Sequence, residues 1–412
     1  MGKEYGGKSI LTARKRREAF VRDLQNLEAS TPPRPAFPIG EARRLVGDLF
    51  QAKRAVYWAD FLVSLTVGYL CAGVYLTAPA FSLPQLGCYL VACTLLYRVG
   101  SYMHEIVHFR RGEMTPFVVA WNILAGIPLL TPSFMYQSHI AHHNTRHYGT
   151  GNDGEYLPLG IGRLRNVLYF LLQIGFLPAY VVFRFLFLVP LSFLHPRLRQ
   201  WVLERASSFV INFRYRREIP ENAPRKWWAA MDIACSLRAW AILVFVLAGI
   251  NDWTRMPMLY SIAVMTLGMN HLRTLVAHRY QSTGERMSHV DQLSDSVNIR
   301  GGWLTEILFP LGMRYHALHH LFPSLPYHNL GKAHRRLMEG LPADSEYHQV
   351  TYPDFSAAFR ELLRNCRRAA QHPAPPAEQW YAKRHAALQP SDRKADHAYR
   401  PLENRPNQRR MA

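Results

Sequence analysis

Residues 85–111 read QLGCYLVACTLLYRVGSYMHEIVHFRR, an apolar run that passes into two histidines and then into two arginines. The run over residues 85–97 follows an earlier stretch, residues 61–81, that contains no charged side chain. A helix that spans a membrane needs about 20 predominantly apolar residues. The two runs therefore predict a tight transmembrane hairpin. Its return to the cytoplasm is marked by Arg110 and Arg111, because basic loops are retained on that side.

The remaining apolar segments predict a second hairpin and two less regular elements. Residues 230–250 and 256–270 would form the hairpin, joined by a short external loop. Residues 116–131 are too short for a span and predict a re-entrant or interfacial helix. Residues 166–194 are long for one span and short for two. Because the arginine-rich residues 195–226 follow them, we expect them to lie in the membrane interface or to re-enter it.

The composition supports a membrane protein with basic loops. The 412 residues include 49 Lys and Arg against 29 Asp and Glu, which gives a net charge of +20. In a soluble protein that charge would suggest nucleic acid. Basic cytoplasmic loops explain it here, so we expect no nucleic-acid partner. Five cysteines, none of them in a CxxC pair, exclude a disulfide scaffold and are expected to be reduced.

Histidine is the compositional anomaly, because eight of the 19 histidines form three clusters. These are His104 and His108; His139, His142 and His143; and His316, His319 and His320. Residues at i, i+3 and i+4 share one helix face, so each cluster presents two or three imidazoles on one stripe. The first and third clusters each follow a hairpin and the second lies between the hairpins, which predicts one shared membrane face. One zinc ion takes about four ligands, so eight imidazoles suit two metal ions better than one. Imidazole binds Fe, Cu, Zn and Ni, so the ligand type alone does not identify the metal.

The pattern HxxxH, HxxHH, HxxHH behind two hairpins resembles the membrane fatty acid desaturase and hydroxylase superfamily, over about residues 57–329. The resemblance implies an all-α integral membrane fold, with two transmembrane hairpins and a cytoplasmic helical cap that carries a di-iron site. It also implies two non-haem irons that use O₂ to remove hydrogen from an acyl chain. Electrons would come from a separate ferredoxin or cytochrome b5-type protein, since no haem-binding domain is apparent in the chain.

The expected organisation has four parts, with both termini and the active site on the cytoplasmic side of the membrane. A basic N-terminal region, residues 1–55, begins with a basic helix. A fatty acid desaturase domain, residues 56–335, carries the histidines. A C-terminal helical region, residues 336–371, precedes a disordered polar tail over residues 372–412, which is rich in Pro, Arg and Gln.

The resemblance also suggests a ninth metal ligand. Ala277, His278, Arg279 and Tyr280 match an Ala-His-x-Tyr sequence of related stearoyl-type desaturases. That family has Asn four residues before the histidine, where this chain has Thr274, which puts a water-mediated contact there in doubt. His271 lies seven residues before His278 on the same helix face. Its role is open between a ligand, a group that orients a ligand and a packed polar residue.

Carboxylates near the clusters are candidates to accept the free N–H of the metal-bound imidazoles and so to orient them. The candidates are Glu105, Asp153, Glu155, Asp291 and Asp295. Each of them taken alone is equally compatible with a solvated or helix-capping residue. His289 and His328 are expected at ordinary polar positions.

For the reaction, the spacing of the clusters and the Ala-His-x-Tyr sequence resemble the desaturase branch, which implies fatty acyl desaturation, with fatty acyl or carotenoid hydroxylation as the alternative. Both reactions use the same ligands and differ in the step that follows the first hydrogen abstraction. A zinc protease would explain HExxH at His104 but neither of the HxxHH clusters. A transporter would place its histidines at bilayer mid-depth. The acyl substrate is expected to enter from the bilayer past aromatic candidates at Trp303, Phe309, Tyr315 and Phe322.

Overall fold

The computed structural model describes residues 37–110 and 112–371, together with 377, 380 and 383. The chain is divided into two units between Gly40 and Glu41, and nearly all described residues belong to the second. The basic helix expected at the N-terminus lies outside the described residues, as does most of the predicted tail. Within the described part the mostly helical class is confirmed, since its two strands have two residues each and pair in parallel.

Sixteen α-helices and two strands follow one another along the described residues. The helices are α1 Ile39–Val46, α2 Arg54–Thr77, α3 Leu83–His108, α4 Thr115–Trp121, α5 His139–His142, α6 Leu164–Phe183, α7 Val189–Ser192, α8 Pro196–Arg205, α9 Arg225–Leu247, α10 Arg255–Leu275, α11 His289–Asp295, α12 Trp303–Leu308, α13 His316–Leu321, α14 Tyr327–Gly340, α15 Glu346–Gln349 and α16 Phe355–Ala370. The strands are β1 Asn298–Ile299 and β2 Thr351–Tyr352. Wider π-helical turns at Asn122–Gly126 and Arg184–Leu188 continue α4 and α6.

Helices α2 and α3 form a closely packed antiparallel pair. Gly68 lets α3 approach α2, since an added Cβ there would lie 3.2 Å from the Leu96 side chain. At the start of α3 the Ser82 hydroxyl accepts a hydrogen bond from Gln85 N, which satisfies one of the free helix N–H groups. Near the other end Arg98 Nε donates to Asp60 Oδ1 at 2.7 Å and joins the two helices. This pair carries the first histidines, at the end of α3.

In the described part of the chain four helices are long and apolar enough to cross a membrane, which fits an integral membrane protein. They are Arg54–Thr77, Leu83–His108, Leu164–Ser192 and Arg225–Leu247. Residues 164–192 thus form one continuous apolar helix of spanning length, where sequence reasoning expected an interfacial or re-entrant segment. By the same criteria α10 is not among the candidate spans, although residues 256–270 were expected to complete the second hairpin.

The second pair of helices is also arranged differently from the first pair. Helix α9 packs mainly against Arg184–Leu188 and α7, whereas α10 packs against α3 and α6. A buried ion pair lies where α9 packs against this segment. Asp232 of α9 is fully buried and accepts hydrogen bonds from Arg184 at 2.8 Å and from Arg199 at 2.7 Å. Asp232 therefore attaches α9 to the end of α6 and to α8.

The C-terminal part of the described chain is packed against the loop that follows the second histidine cluster. Helix α16 lies against α6, and the Cys366 thiol donates to the Leu159 carbonyl oxygen at 3.2 Å. Trp380 is 1% exposed and donates to the Gly149 carbonyl oxygen at 2.6 Å. Ala377, which lies in the same segment, is also buried, and the disorder expected from residue 372 onward stays a prediction.

Candidate metal centre

Four separate parts of the chain bring nine imidazoles together. The last two turns of α3 supply His104 and His108, and α5 with the residue after it supplies the second cluster. Helix α13 supplies the third cluster, and His278 follows the end of α10. Ring centroids of histidines from different clusters lie as close as 4.3 Å, between His104 and His319 and between His143 and His320. The expected convergence on one place is therefore what the structure shows.

The imidazoles sort into two groups, in each of which one ligand atom per residue lies within 4.8 Å of the others. The groups are His104, His108, His139 and His319, and His142, His278, His316 and His320. Neither HxxHH cluster stays whole. His142 separates from His139, and His319 separates from His316, so each cluster gives ligands to both groups. Because one short helix carries histidines of both groups, the two groups must lie next to each other.

His143 lies between the two groups. Its Nε2 is 2.9 Å from His139 Nε2 and 3.1 Å from His319 Nε2, both in the first group. Its ring is also 4.3 Å from that of His320 in the second group. Its ring nitrogen is therefore in contact with the first group, while its ring also borders the second.

The donor atoms fit a pair of transition-metal ions. In the second group His316 Nε2 lies 2.9 Å from His278 Nε2 and 3.2 Å from His320 Nε2. Neighbouring nitrogens bound to one metal at about 2.1 Å and at right angles would be about 3.0 Å apart. His104 Nε2 and His108 Nε2 are buried with no hydrogen-bond partner in the described structure. Converging, unpartnered imidazole nitrogens of this kind are what a metal ion would satisfy.

Burial keeps these imidazoles neutral, as metal ligands must be. It lowers the pKa of His139, His278 and His316 well below the usual value, and neighbouring histidines lower it further. His142 is the exception. Burial acts to lower its pKa, but the carboxylates of Asp153, Glu155 and Asp295 together outweigh that effect and the pKa is raised.

Two of the candidate carboxylates bind histidines directly. Asp153 Oδ2 lies 2.8 Å from His142 Nδ1 and also accepts a hydrogen bond from Gly149 N. Glu155 Oε1 lies 2.9 Å from His139 Nδ1, and its other oxygen accepts from the Tyr136 hydroxyl. Burial raises the pKa of Glu155 to about 7. Each carboxylate holds an Nδ1, which leaves Nε2 of that ring for the metal.

A third carboxylate reaches its histidine through a tyrosine. The Tyr148 hydroxyl lies 2.8 Å from His278 Nδ1 and donates to Asp295 Oδ2 at 3.0 Å. Asp295 also accepts a hydrogen bond from the Tyr156 hydroxyl at 2.8 Å. Burial raises the pKa of Tyr148 well above its usual value, so the hydroxyl keeps its proton. Sequence reasoning missed all three tyrosines around the site, Tyr136, Tyr148 and Tyr156, because no spacing links them to their partners.

The other candidates have different contacts. Glu105 accepts hydrogen bonds from the Tyr57 hydroxyl at 2.6 Å and from Tyr327 N at 3.2 Å. Its nearest approach to an imidazole is 4.0 Å, to His104 Nδ1. Asp291 forms an exposed capping box with Ser288 at the start of α11. The HExxH glutamate is therefore bound to tyrosines, which does not fit the general base of a zinc protease.

His271 and the aromatic candidates also lie apart from the two groups. His271 Nδ1 bonds the Leu267 carbonyl oxygen at 3.0 Å, and its ring is 4.6 Å from that of Phe170. Trp303 is 72% exposed, whereas Phe309, Tyr315 and Phe322 are buried within the protein. None of these contacts makes them part of the histidine groups in the described structure.

Comparison with known proteins identifies the family. A family model described as fatty acid desaturase matches residues 80–352, a range that contains all nine histidines. A ceramide hydroxylase from Caulobacter vibrioides (strain NA1000 / CB15N) is 40% identical over 332 residues, which cover 79% of this chain and 93% of that protein. No solved structure matches the chain significantly. The chain therefore belongs to the fatty acid desaturase family.

Proposed function

We propose that the protein is an O₂-dependent lipid hydroxylase that acts on a ceramide-type substrate at two non-haem irons. The observation that carries the proposal is the relative named ceramide hydroxylase, which is 40% identical and matched over 93% of its length. Sequence reasoning favoured desaturation and kept hydroxylation as the alternative. The relative supports the alternative better, and the family contains both kinds of enzyme.

Nine histidines would hold the two irons. The first iron would be bound by His104, His108, His139, His143 and His319, and the second by His142, His278, His316 and His320. Imidazole ligands suit iron as well as copper, zinc and nickel, so the choice of iron rests on the family. When bound, the metal pair supplies the oxidant that removes hydrogen from an unactivated C–H bond.

The chain's own side chains orient the ligands and exclude water. Asp153 and Glu155 hold Nδ1 of His142 and His139, and Tyr148 holds Nδ1 of His278. Partners of this kind fix the ring orientation and raise the basicity of the ligand. Seven of the nine rings are buried, and the other two are partly exposed. A dry site protects a reactive oxidant from side reactions.

The substrate and the electron donor would approach from different directions. Apolar side chains of α2, α6 and α9, such as Leu70, Leu172 and Leu237, are at least 66% exposed and would face lipid. We propose that the lipid substrate enters from the bilayer, and that a separate ferredoxin or cytochrome b5-type protein supplies two electrons for each O₂. We further propose that the histidine site and both termini lie on the cytoplasmic side.

Lipid mass spectrometry on cells that express the protein, fed a ceramide under ¹⁸O₂, tests the reaction. Hydroxylation adds one labelled oxygen atom to the ceramide, and the second oxygen leaves as water. Desaturation removes two hydrogens and adds no label. We expect the labelled hydroxyceramide, and we expect His142→Ala and His319→Ala to abolish it. His289→Ala, an exposed position on α11, is the matched control and should leave the product unchanged.

An unlabelled product with two fewer hydrogens would show that the protein is a desaturase and not a hydroxylase. Product formation that persists in both His142→Ala and His319→Ala would remove the metal centre from the proposal. The membrane fraction of each variant, measured by immunoblot, shows that it is still inserted.

A further inference from the structure

Arg273 lies in the last turn of α10, five residues before His278. It is only 7% exposed. Helix α10 packs against α3, which carries His104 and His108, and against α6. The helix therefore places a buried guanidinium beside the histidine groups, at a position that sequence reasoning did not single out.

The hydrogen-bond partners of Arg273 are neutral. Its Nε and Nη2 donate to Asn270 Oδ1 at 3.3 and 3.1 Å, and Nη2 also lies 3.2 Å from Thr274 Oγ1. Residues 270, 273 and 274 share one face of α10, so the helix itself holds the guanidinium in place. Within the described part of the chain no Asp or Glu oxygen lies within 4.0 Å of it. Its charge is therefore fixed in position and has no ion-pair partner among the described residues.

The charge of Arg273 reaches the surroundings of both histidine groups. Burial is the largest cause of the lowered pKa of His278 and His316, and Arg273 lowers it further. Arg273 also opposes the burial that raises the pKa of Glu155, the carboxylate that binds His139. Its charge thus contributes to the electrostatics of both groups, and its place in the chain, five residues before His278, puts it near the second.

A buried cation without a counter-charge is costly, and two bound metal ions nearby would increase the cost. A guanidinium cannot lose its proton in a protein, so an acceptor must relieve that cost. A neutral amide carbonyl from a lipid can enter from the bilayer and accept a charge-assisted hydrogen bond. We infer that Arg273 binds the amide carbonyl oxygen of the lipid substrate and positions the adjoining chain at the metal centre. This inference rests on the proposed ceramide-type substrate.

Equilibrium binding under anaerobic conditions tests the inference without turnover. The full-length protein in nanodiscs is titrated with an N-acyl sphinganine and with an analogue whose amide carbonyl is replaced by methylene. We expect Arg273→Gln to weaken ceramide binding by about tenfold or more, the usual effect of a hydrogen bond to a charged group. Binding of the analogue should not change. The wild type should already bind the analogue about as weakly as Arg273→Gln binds ceramide.

Two further variants separate a specific contact from a general effect. Asn270→Asp keeps the arginine but places a carboxylate beside it, so it should also weaken ceramide binding selectively. Arg255→Gln removes the same charge at the opposite end of α10 and should leave both affinities unchanged. Iron content and melting temperature, compared with the wild type, show whether each variant retains the folded site.

Three results would overturn the inference. If Arg273→Gln binds ceramide as the wild type does, or loses the same factor for ceramide and the analogue, Arg273 does not bind the carbonyl. In that case wild-type ceramide binding remains intact and the proposed function stands. If the wild type binds ceramide no better than the analogue, the carbonyl is not recognised and the inference fails at its first step. Absence of ceramide binding by the wild type would overturn the proposed substrate together with the inference.

Discussion

His142 Nδ1 lies 2.8 Å from Asp153 Oδ2, and neither side chain is more than 2% exposed. Asp153 also accepts hydrogen bonds from the backbone N–H groups of Gly149 and Glu155. The loop between the second histidine cluster and α6 is therefore folded around one carboxylate. That carboxylate fixes the ring of a histidine whose neighbours His139 and His143 belong to the other group.

Replacement of Asp153 by Asn should weaken metal binding at the second group. The amide keeps the size of the carboxylate but loses its charge, and loss of such a partner typically lowers metal affinity by about 10- to 100-fold. Competition with a chelator of known affinity, followed by the loss of protein-bound iron, measures the change. Asp344→Asn, at an exposed position before α15, is the control. Wild-type retention of iron by Asp153→Asn would contradict the role given to this carboxylate.

The two groups should bind their metal ions separately enough to be counted. We expect about two irons per chain in the wild type and about one in His108→Ala or His278→Ala, because each change removes a ligand from a different group. Iron and protein are quantified on the same purified sample. His289→Ala should retain about two irons. Complete loss of iron from either single variant would show that the groups bind cooperatively as one site.

The spacing of the histidines predicted which residues approach the centre, but not how they divide between the two groups. Pairs four residues apart stay together, as His139 with His143 and His316 with His320 do. The third member of each cluster joins the other group, because α5 and α13 meet across the centre. That docking depends on contacts between distant parts of the chain, such as His143 with His319. No local pattern reports it.

The membrane topology was less accessible from the sequence. Arg184 and Asp232 lie inside apolar segments, and each is fully buried against the other. With Arg184 neutralised in this way, residues 164–192 continue as one helix. The positive-inside rule alone had predicted that this segment lies in the membrane interface or re-enters the membrane. We expected the histidines to share one membrane face because the predicted hairpins return the chain to that face before each cluster. The structure shows the convergence through the contacts themselves, independently of that prediction.

The ion pair of Arg184 and Asp232 should be a main determinant of stability. Asp232→Asn leaves Arg184 fully buried beside Arg199 without a counter-charge, and breaking a buried pair in this way costs about 3–5 kcal/mol. Thermal denaturation in detergent, followed by the fluorescence of the tryptophans, should show a clearly lower melting temperature. Glu204→Gln removes the partner of Arg216, which is 60% exposed, and should change stability little. Equal melting temperatures for the two variants would refute the assignment.

Trp380 should support the loop that aims Asp153 at His142. Its indole N–H donates to the Gly149 carbonyl oxygen at 2.6 Å, and Gly149 N in turn donates to Asp153. Gly149 has a φ of +69°, a conformation that glycine adopts without strain. Because glycine can also adopt many other conformations, hydrogen bonds such as that of Trp380 are needed to hold the turn. Trp380→Phe keeps most of the packing and loses the hydrogen bond, which should cost about 1 kcal/mol. Trp380→Ala also empties a buried site and should cost about 3–5 kcal/mol.

The same variants should differ in iron retention if the loop transmits the effect to Asp153. We expect Trp380→Ala to lose iron to a chelator faster than Trp380→Phe, and Trp380→Phe faster than the wild type. Trp253→Ala, a 70% exposed tryptophan between α9 and α10, controls for the loss of a large aromatic side chain. Lower stability with unchanged iron retention would mean that Trp380 only packs against the loop. If neither the stability nor the iron retention of the Trp380 variants changes, the C-terminal segment does not hold the loop.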